Sequence, residues 1–169
     1  MIRFFSKFGK NNYMKKLSLL ILTLFFCNIS YTQSLGIGLQ SSFPSYGLSA
    51  KLDMNDTHSA QVIFGALGIV SNYSARYIYN FQETGAIQVK PFLYSQVGVW
   101  SYSFSSFGID ENESTIGYGL GAGLEFNWLN FVSENLKTTV EIGYGKVDLD
   151  SYNFAFTTFG FGIHYTLDL

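Results

Sequence analysis

Eight polar side chains scattered along the chain could do chemistry together: Lys51, Asp53, Arg76, Lys90, Glu125, Glu141, His164 and Asp168. Three of them are cations, four are carboxylates and one is an imidazole. Placed in one low-dielectric space they would have to pair, because an unpaired buried charge is costly. Paired, they could plug a cavity or gate a narrow ion path. An imidazole beside a hydroxyl and a carboxylate could also serve as a general base for a nucleophile. The chain has two histidines, His58 and His164, and His164 lies close in sequence to Thr166 and Asp168. A second acidic set, Asp110, Glu111, Glu113, Asp148 and Asp150, offers oxygen ligands of the kind calcium or magnesium takes. Its spacing matches no calcium-loop motif, so the expectation there is solvated loops and no metal. No phosphate loop, zinc spacing or dinucleotide fingerprint is present, and no cofactor is expected.

The elements that must hold these residues are strands. From Thr115 to Trp128, Ile116, Tyr118, Leu120, Ala122, Leu124, Phe126 and Trp128 alternate with Gly117, Gly119, Gly121, Gly123, Glu125 and Asn127. Period two over a dozen residues is an extended strand with two different faces. The strict alternation also sets this glycine run in a strand rather than in a ligand-cradling loop.

The same pattern predicts seven more strands. The first runs over 34–42, with Leu35, Ile37 and Leu39 opposite Gly36, Gly38 and Gln40. The second, 46–54, sets Leu48, Ala50 and Leu52 against Ser49, Lys51 and Asp53, and the third, 57–68, sets Ala60, Val62 and Phe64 against Ser59 and Gln61. The fourth, 73–81, sets Tyr73, Ala75, Tyr77, Tyr79 and Phe81 against Ser74, Arg76, Ile78 and Asn80. In the fifth, 87–102, Val89, Leu93, Val97 and Val99 face away from Lys90, Phe92, Tyr94, Gln96, Gly98 and Trp100. The seventh, 136–147, and eighth, 154–169, put Glu141, and then His164 and Asp168, on their polar faces. Pro44 breaks the first pair, Asn55-Asp56 and Ser71-Asn72 are turn chemistry, and 103–114 is predicted as a polar connection.

The apolar faces carry no Asp, Glu, Lys or Arg. The chain as a whole is 18% aromatic and only 13% charged. A soluble sandwich would lack a polar exterior. The inverted solution is a closed barrel with its apolar face in lipid and its polar face in the lumen. Eight is an even number, and each strand approaches the roughly 9–11 residues that a tilted membrane strand needs. An eight-stranded interior is just wide enough for side chains to fill. Pairing the fifth and sixth strands brings Lys90 beside Glu125 and lets inward rings fill the space left by glycines. The polar set is then expected as a satisfied lumen plug, with a gated conduction path as the alternative. Neither histidine would reach the outer rim, so no catalytic residue and no enzyme activity are expected. Tyr46, Tyr73, Tyr79, Phe81, Phe126, Trp128, Tyr144 and Phe154 fall near strand ends, as interfacial aromatic belts do.

Residues 1–32 read as an N-terminal extension plus signal peptide. Lys15 and Lys16 precede a short apolar run from Leu17 to Cys27, then Ser30, Tyr31 and Thr32, with Met14 as the expected start and cleavage after Thr32. The barrel domain is then 33–169. Removal of residues 1–32 takes five of the ten basic residues and none of the twelve acids, leaving a formal charge of −7 and no cysteine. That balance argues against a nucleic-acid partner and against a polybasic membrane anchor.

The last strand, with Phe159, Phe161, Ile163, Tyr165, Leu167 and Leu169 alternating to the final position, resembles the C-terminal signal of Gram-negative outer-membrane barrels. That signal usually ends in Phe or Trp, where this chain has Leu169. Together with the leader and the Gly-x-Gly-x-Gly-x-Gly strand, residues 34–169 resemble the small eight-stranded barrels of the OmpA/OmpX type. The resemblance implies an all-β, up-and-down transmembrane barrel in an outer membrane, with both termini periplasmic. Connections near 43–46, 69–72, 103–114 and 148–153 would then face outside, and those near 55, 83 and 130 would be periplasmic turns. The expected partners are outer-membrane lipid, lipopolysaccharide and a larger envelope complex. The expected role is structural, surface-interacting or accessory. A narrow channel is the alternative, with a lipid-modifying enzyme or a secreted lipocalin-like ligand binder as lesser ones.

Overall fold

The structure, a computed structural model, describes residues 34–42, 45–67, 70–85, 88–106, 109–129, 131–148 and 153–169. The predicted leader, 1–32, lies outside the described residues. Eight strands follow in order: β1 Ser34–Ser42, β2 Ser45–Asp53, β3 His58–Leu67, β4 Val70–Asn80, β5 Lys90–Ser106, β6 Ile109–Phe126, β7 Leu136–Asp148 and β8 Asn153–Asp168. Each pairs antiparallel with the next. The β1–β8 ladder, from Ser34↔Asp168 to Ser42↔Gly160, closes the barrel. Closure matters energetically, because it leaves no open sheet edge along the shared height of the wall.

The side chains are sorted by alternation, and the sorting is inside out. Arg76 (3% exposed) and His164 (2%) are buried, while Leu48 (65%), Leu120 (61%) and Ile116 (71%) are exposed. Burial alternates along the strands, most regularly in β4, where Asn72, Ser74, Arg76, Ile78 and Asn80 are buried and Tyr73, Ala75, Tyr77 and Tyr79 are not. Thr138 is the instructive departure. Its outward parity is right, yet it is fully buried, because Trp128 folds back over it and donates Nε1–H to its Oγ1 at 2.9 Å. On the outward faces, Lys146 and Asp148 lie at the far end of β7 and pair with each other at 2.8 Å.

The ends of the strands differ from the predicted ones. Ser71 and Asn72 belong to β4 rather than to a turn: the ladder reaches Val70↔Leu67, and the buried Asn72 amide donates Nδ2–H to the Tyr46 carbonyl at 2.9 Å. Residues 103–106 and 109–114 continue β5 and β6 as a paired hairpin rather than a loop, to Ser106↔Ile109. The ladder needs backbone only, so polar sequence does not end it. The β4–β5 ladder stops at Val70↔Tyr102 and the β6–β7 ladder at Gly117↔Val147, so this hairpin rises above its neighbours.

Glycines on β6 and β7 make room for inward rings. A Cβ added at Gly123 would sit 2.4 Å from Phe92 Cζ and 2.7 Å from the Val140 carbonyl oxygen. At Gly121 it would be 2.7 Å from the Tyr94 ring, and at Gly117 2.7 Å from Trp100. Gly123→Ala is therefore expected to destabilise the folded barrel by about 1–3 kcal/mol through overpacking. Denaturant titration of the refolded protein checks this. Adding Phe92→Leu should return part of the loss. Gly47 plays a different part: its φ of +127° belongs to the left-handed half of the map, and a Cβ there would meet the Phe64 carbonyl oxygen at 2.1 Å.

Candidate functional site

Among the described residues, ionisable and hydrogen-bonding groups converge in the lumen. Two networks fill it. Nearer the end that carries Ser34 and Asp168, Lys51 of β2 is in close contact with the Glu125 carboxylate of β6, and its Nζ stands 3.5 Å from Asp53 Oδ1. Asp53 also accepts hydrogen bonds from Ser34 Oγ at 2.9 Å and Ser59 Oγ at 2.5 Å, and Asn80 Nδ2 donates to Ser59 Oγ at 2.7 Å. One ammonium thus sits between two carboxylates, and the second carboxylate is shared with two hydroxyls. This is the satisfaction that buried charges require.

The second network spans the middle of the lumen and joins opposite walls. Arg76 Nη1 reaches both Glu141 carboxylate oxygens, at 3.0 and 3.2 Å, across the barrel from β4 to β7. Its Nε donates to Gln96 Oε1 at 2.5 Å, and Gln96 Nε2 donates onward to Ser45 Oγ at 2.7 Å. The guanidinium lies over the Tyr94 ring, 4.5 Å from its centroid, where a cation is attracted to the π face. Glu141 accepts a close hydrogen bond from Ser42 Oγ, which in turn accepts from Gln40 Nε2 at 3.0 Å. Gln40 Oε1 accepts from Gln61 Nε2 at 3.3 Å. Gln61 and His164 Nε2 both meet Ser49 Oγ, at 2.8 and 2.9 Å. Ile78, Phe92 and Tyr94 pack on the β4–β5 wall, and Trp100 with Val147 closes the far end above both networks.

Of the eight predicted site residues, the structure brings Lys51, Asp53 and Glu125 into one network and Arg76, Glu141 and His164 into the other. Lys90 and Asp168 stand outside both. Lys90 is the register partner of Glu125, as its spacing implies, but Glu125 turns across the lumen to Lys51 instead. Asp168 is exposed at the end of β8. The residues that sequence reasoning did not single out are the neutral ones, Gln40, Ser42, Ser45, Ser49, Gln61 and Gln96, which carry the hydrogen bonds from charge to charge. Their inward parity was the available signal.

Neither histidine is set up as a catalytic base. His58 lies on the outer face, its Nδ1 2.6 Å from the Tyr77 hydroxyl. His164 does meet a serine, Ser49, but its Nδ1 has no partner among the described residues, and the ring is buried. The carboxylate that would orient the imidazole is missing. Among the described residues no group of three or more His, Cys, Asp or Glu side chains is placed to hold a metal ion.

An apolar outer face, a filled polar lumen and an eight-stranded up-and-down meander define the class: the fold is that of the small eight-stranded outer-membrane barrels. In particular, the chain is similar to the N-terminal β-barrel domain of OprF from Pseudomonas aeruginosa, at 14% identity and a TM-score of 0.59, over 81% of this chain and 98% of that one. It also matches Neisserial surface protein A at 16% identity and a TM-score of 0.49, over 82% of this chain and 95% of that one. At these identities the likeness is one of fold. No family model matches the chain, and no curated protein matches it by sequence.

Proposed function

We propose that this chain is an integral outer-membrane barrel, exported by a cleaved leader spanning residues 1–32, whose role is structural or accessory rather than catalytic. The observation that carries the reading is the inverted sorting of side chains. Exposed apolar residues such as Ile37, Leu48, Phe64, Val97, Leu120 and Ile142 surround buried Lys51, Arg76, Glu125 and Glu141. In water that arrangement forfeits about 1.5–3 kcal/mol for each large apolar side chain left exposed. In a bilayer it is the arrangement that burial favours. The lumen networks then hold the wall in register from within, and the Trp100–Val147 pair closes it. Lipid and lipopolysaccharide of the outer membrane contact the wall, and a larger envelope complex is the natural setting for a structural or accessory barrel.

A narrow channel is the second reading, favoured by the continuity of the Arg76–Glu141–Ser42–Gln40–Gln61–His164 chain through the middle of the lumen. Planar-bilayer recording on the purified protein separates the two. The structural reading predicts a quiet membrane. Resolved conductance steps that grow when Trp100 is replaced by alanine would instead establish the channel.

A further inference from the structure

Three described connections sit at the end of the barrel that carries Ser34 and Asp168, and their chemistry differs. The tip of the β2–β3 turn is Asn55-Asp56, and that of the β4–β5 connection includes Gln82, Glu83, Thr84 and Gly85. The described tips of both are polar, with Phe81 exposed at the start of the second connection. The β6–β7 connection, described over 127–129 and 131–135, differs: Phe131 is 80% exposed and Val132 65%. Several of its polar groups bond within the connection. Asn127 Nδ2 donates to the Glu134 carbonyl at 2.6 Å, Asn135 N to Ser133 Oγ at 3.3 Å, and Val132 N and Ser133 N to the Leu129 carbonyl at 2.8 and 3.1 Å. Phe131 and Val132 form an apolar tip, with the exposed Glu134 beside it.

The position of the turn indicates what covers it. Trp128 begins it and lies back along the outer wall on Thr138, so the turn leaves the barrel from its outward face rather than from the lumen mouth. On the other flank, Thr166 N donates to the Asn135 carbonyl at 2.8 Å, and Leu136 is the register partner of Tyr165. The turn that carries Phe131 and Val132 is therefore flanked by Trp128 and by the end of β8, where Tyr165, Leu167 and Leu169 are exposed. The β2–β3 turn also has aromatic neighbours, Tyr79 and Phe81, but its own tip, Asn55-Asp56, is polar.

We propose that the β6–β7 connection is a lipid anchor: Phe131 and Val132 insert into the interfacial zone of the leaflet on this side of the membrane, while the β2–β3 and β4–β5 turns stay in water. The partner is a phospholipid surface. Burial of the two side chains pulls the β6–β8 side of the barrel deeper than the β2–β4 side, so the barrel is held tilted. This rests on the membrane reading above and goes beyond it, since that reading requires only the wall to meet lipid.

Nitroxide labels test it. In the cysteine-free chain 33–169, single cysteines replacing Phe131, Val132, Asn55, Glu83 and Leu120 are labelled, and the protein is refolded into phosphatidylcholine bilayers. The ratio of oxygen to nickel-chelate accessibility is expected to be several-fold higher at 131 and 132 than at 55 and 83, approaching the value at 120. Ratios at 131 and 132 equal to those at 55 and 83 would overturn the anchor. So would shielding of both positions from both reagents, which would mean that protein rather than lipid covers the turn. Failure of the membrane reading shows separately, as free access of the nickel chelate to position 120.

Discussion

Leu120→Arg is expected to cost about 2–4 kcal/mol of folding free energy when the protein is refolded into lipid bilayers, the penalty for a cation near the midplane of a barrel's outer face. Leu120 lies near the middle of the β6 apolar set and is 61% exposed. If the exposed face met water, the same substitution would be a change at an exposed surface position, worth within about ±0.5 kcal/mol. The two environments thus differ in outcome by severalfold at one residue. Denaturant unfolding from phosphatidylcholine vesicles reads the difference. A companion substitution, Ile116→Arg, lies nearer the rim and should cost less, because the penalty falls toward the interface. A flat, near-zero response at both positions would contradict the inverted barrel.

Glu141→Ala is expected to destabilise the barrel by about 3–5 kcal/mol, because it strands a buried guanidinium. The Arg76–Glu141 pair is almost wholly enclosed, and Arg76 Nη2 already lacks a partner among the described residues, so no alternative acceptor stands ready. Ser42 loses its acceptor in the same step. The loss belongs to the leftover charge rather than to the missing bond. Replacing both residues, Arg76→Leu with Glu141→Leu, should therefore cost less than the single change. The Lys146–Asp148 pair supplies the contrast within one molecule: it is partly exposed, and breaking it should cost about 0–1 kcal/mol. Equal effects at Glu141 and Asp148 would mean that the lumen is wet enough to screen its charges.

How much of this was legible in the sequence depends on which contact is meant. The faces were legible, because period two is a local property: Tyr73 to Phe81 and Thr115 to Trp128 show which side each residue takes before any partner is known. Strand ends were less so. Ser103 to Ser114 is polar and acidic, yet 103–106 and 109–114 pair by backbone alone, and no side-chain pattern marks where such a ladder stops. Ser71-Asn72 reads as a turn by composition, whereas the Asn72 amide is used to tie β4 to Tyr46. Cross-lumen partners were not legible. Lys90 and Glu125 are neighbours by register, and adjacency suggested the pair. Which of two inward cations Glu125 reaches is set by how the closed wall brings β2 opposite β6, a long-range property that no window of sequence contains. The glycine–aromatic complementarity of β5 with β6 was legible, since both partners lie on one hairpin. Its extension to Gly143 beneath the Tyr94 hydroxyl, on β7, was not.

The central claim is that these eight strands close into a barrel whose outer face meets lipid. The most direct measurement is migration on a denaturing gel, with and without boiling, of the protein in the detergent-solubilised outer-membrane fraction. A closed barrel that resists the detergent until heated is expected to run as a compact band when cold and to shift to the position of the unfolded chain after boiling. A protein recovered in the soluble fraction, with one band position regardless of heating, would contradict the account.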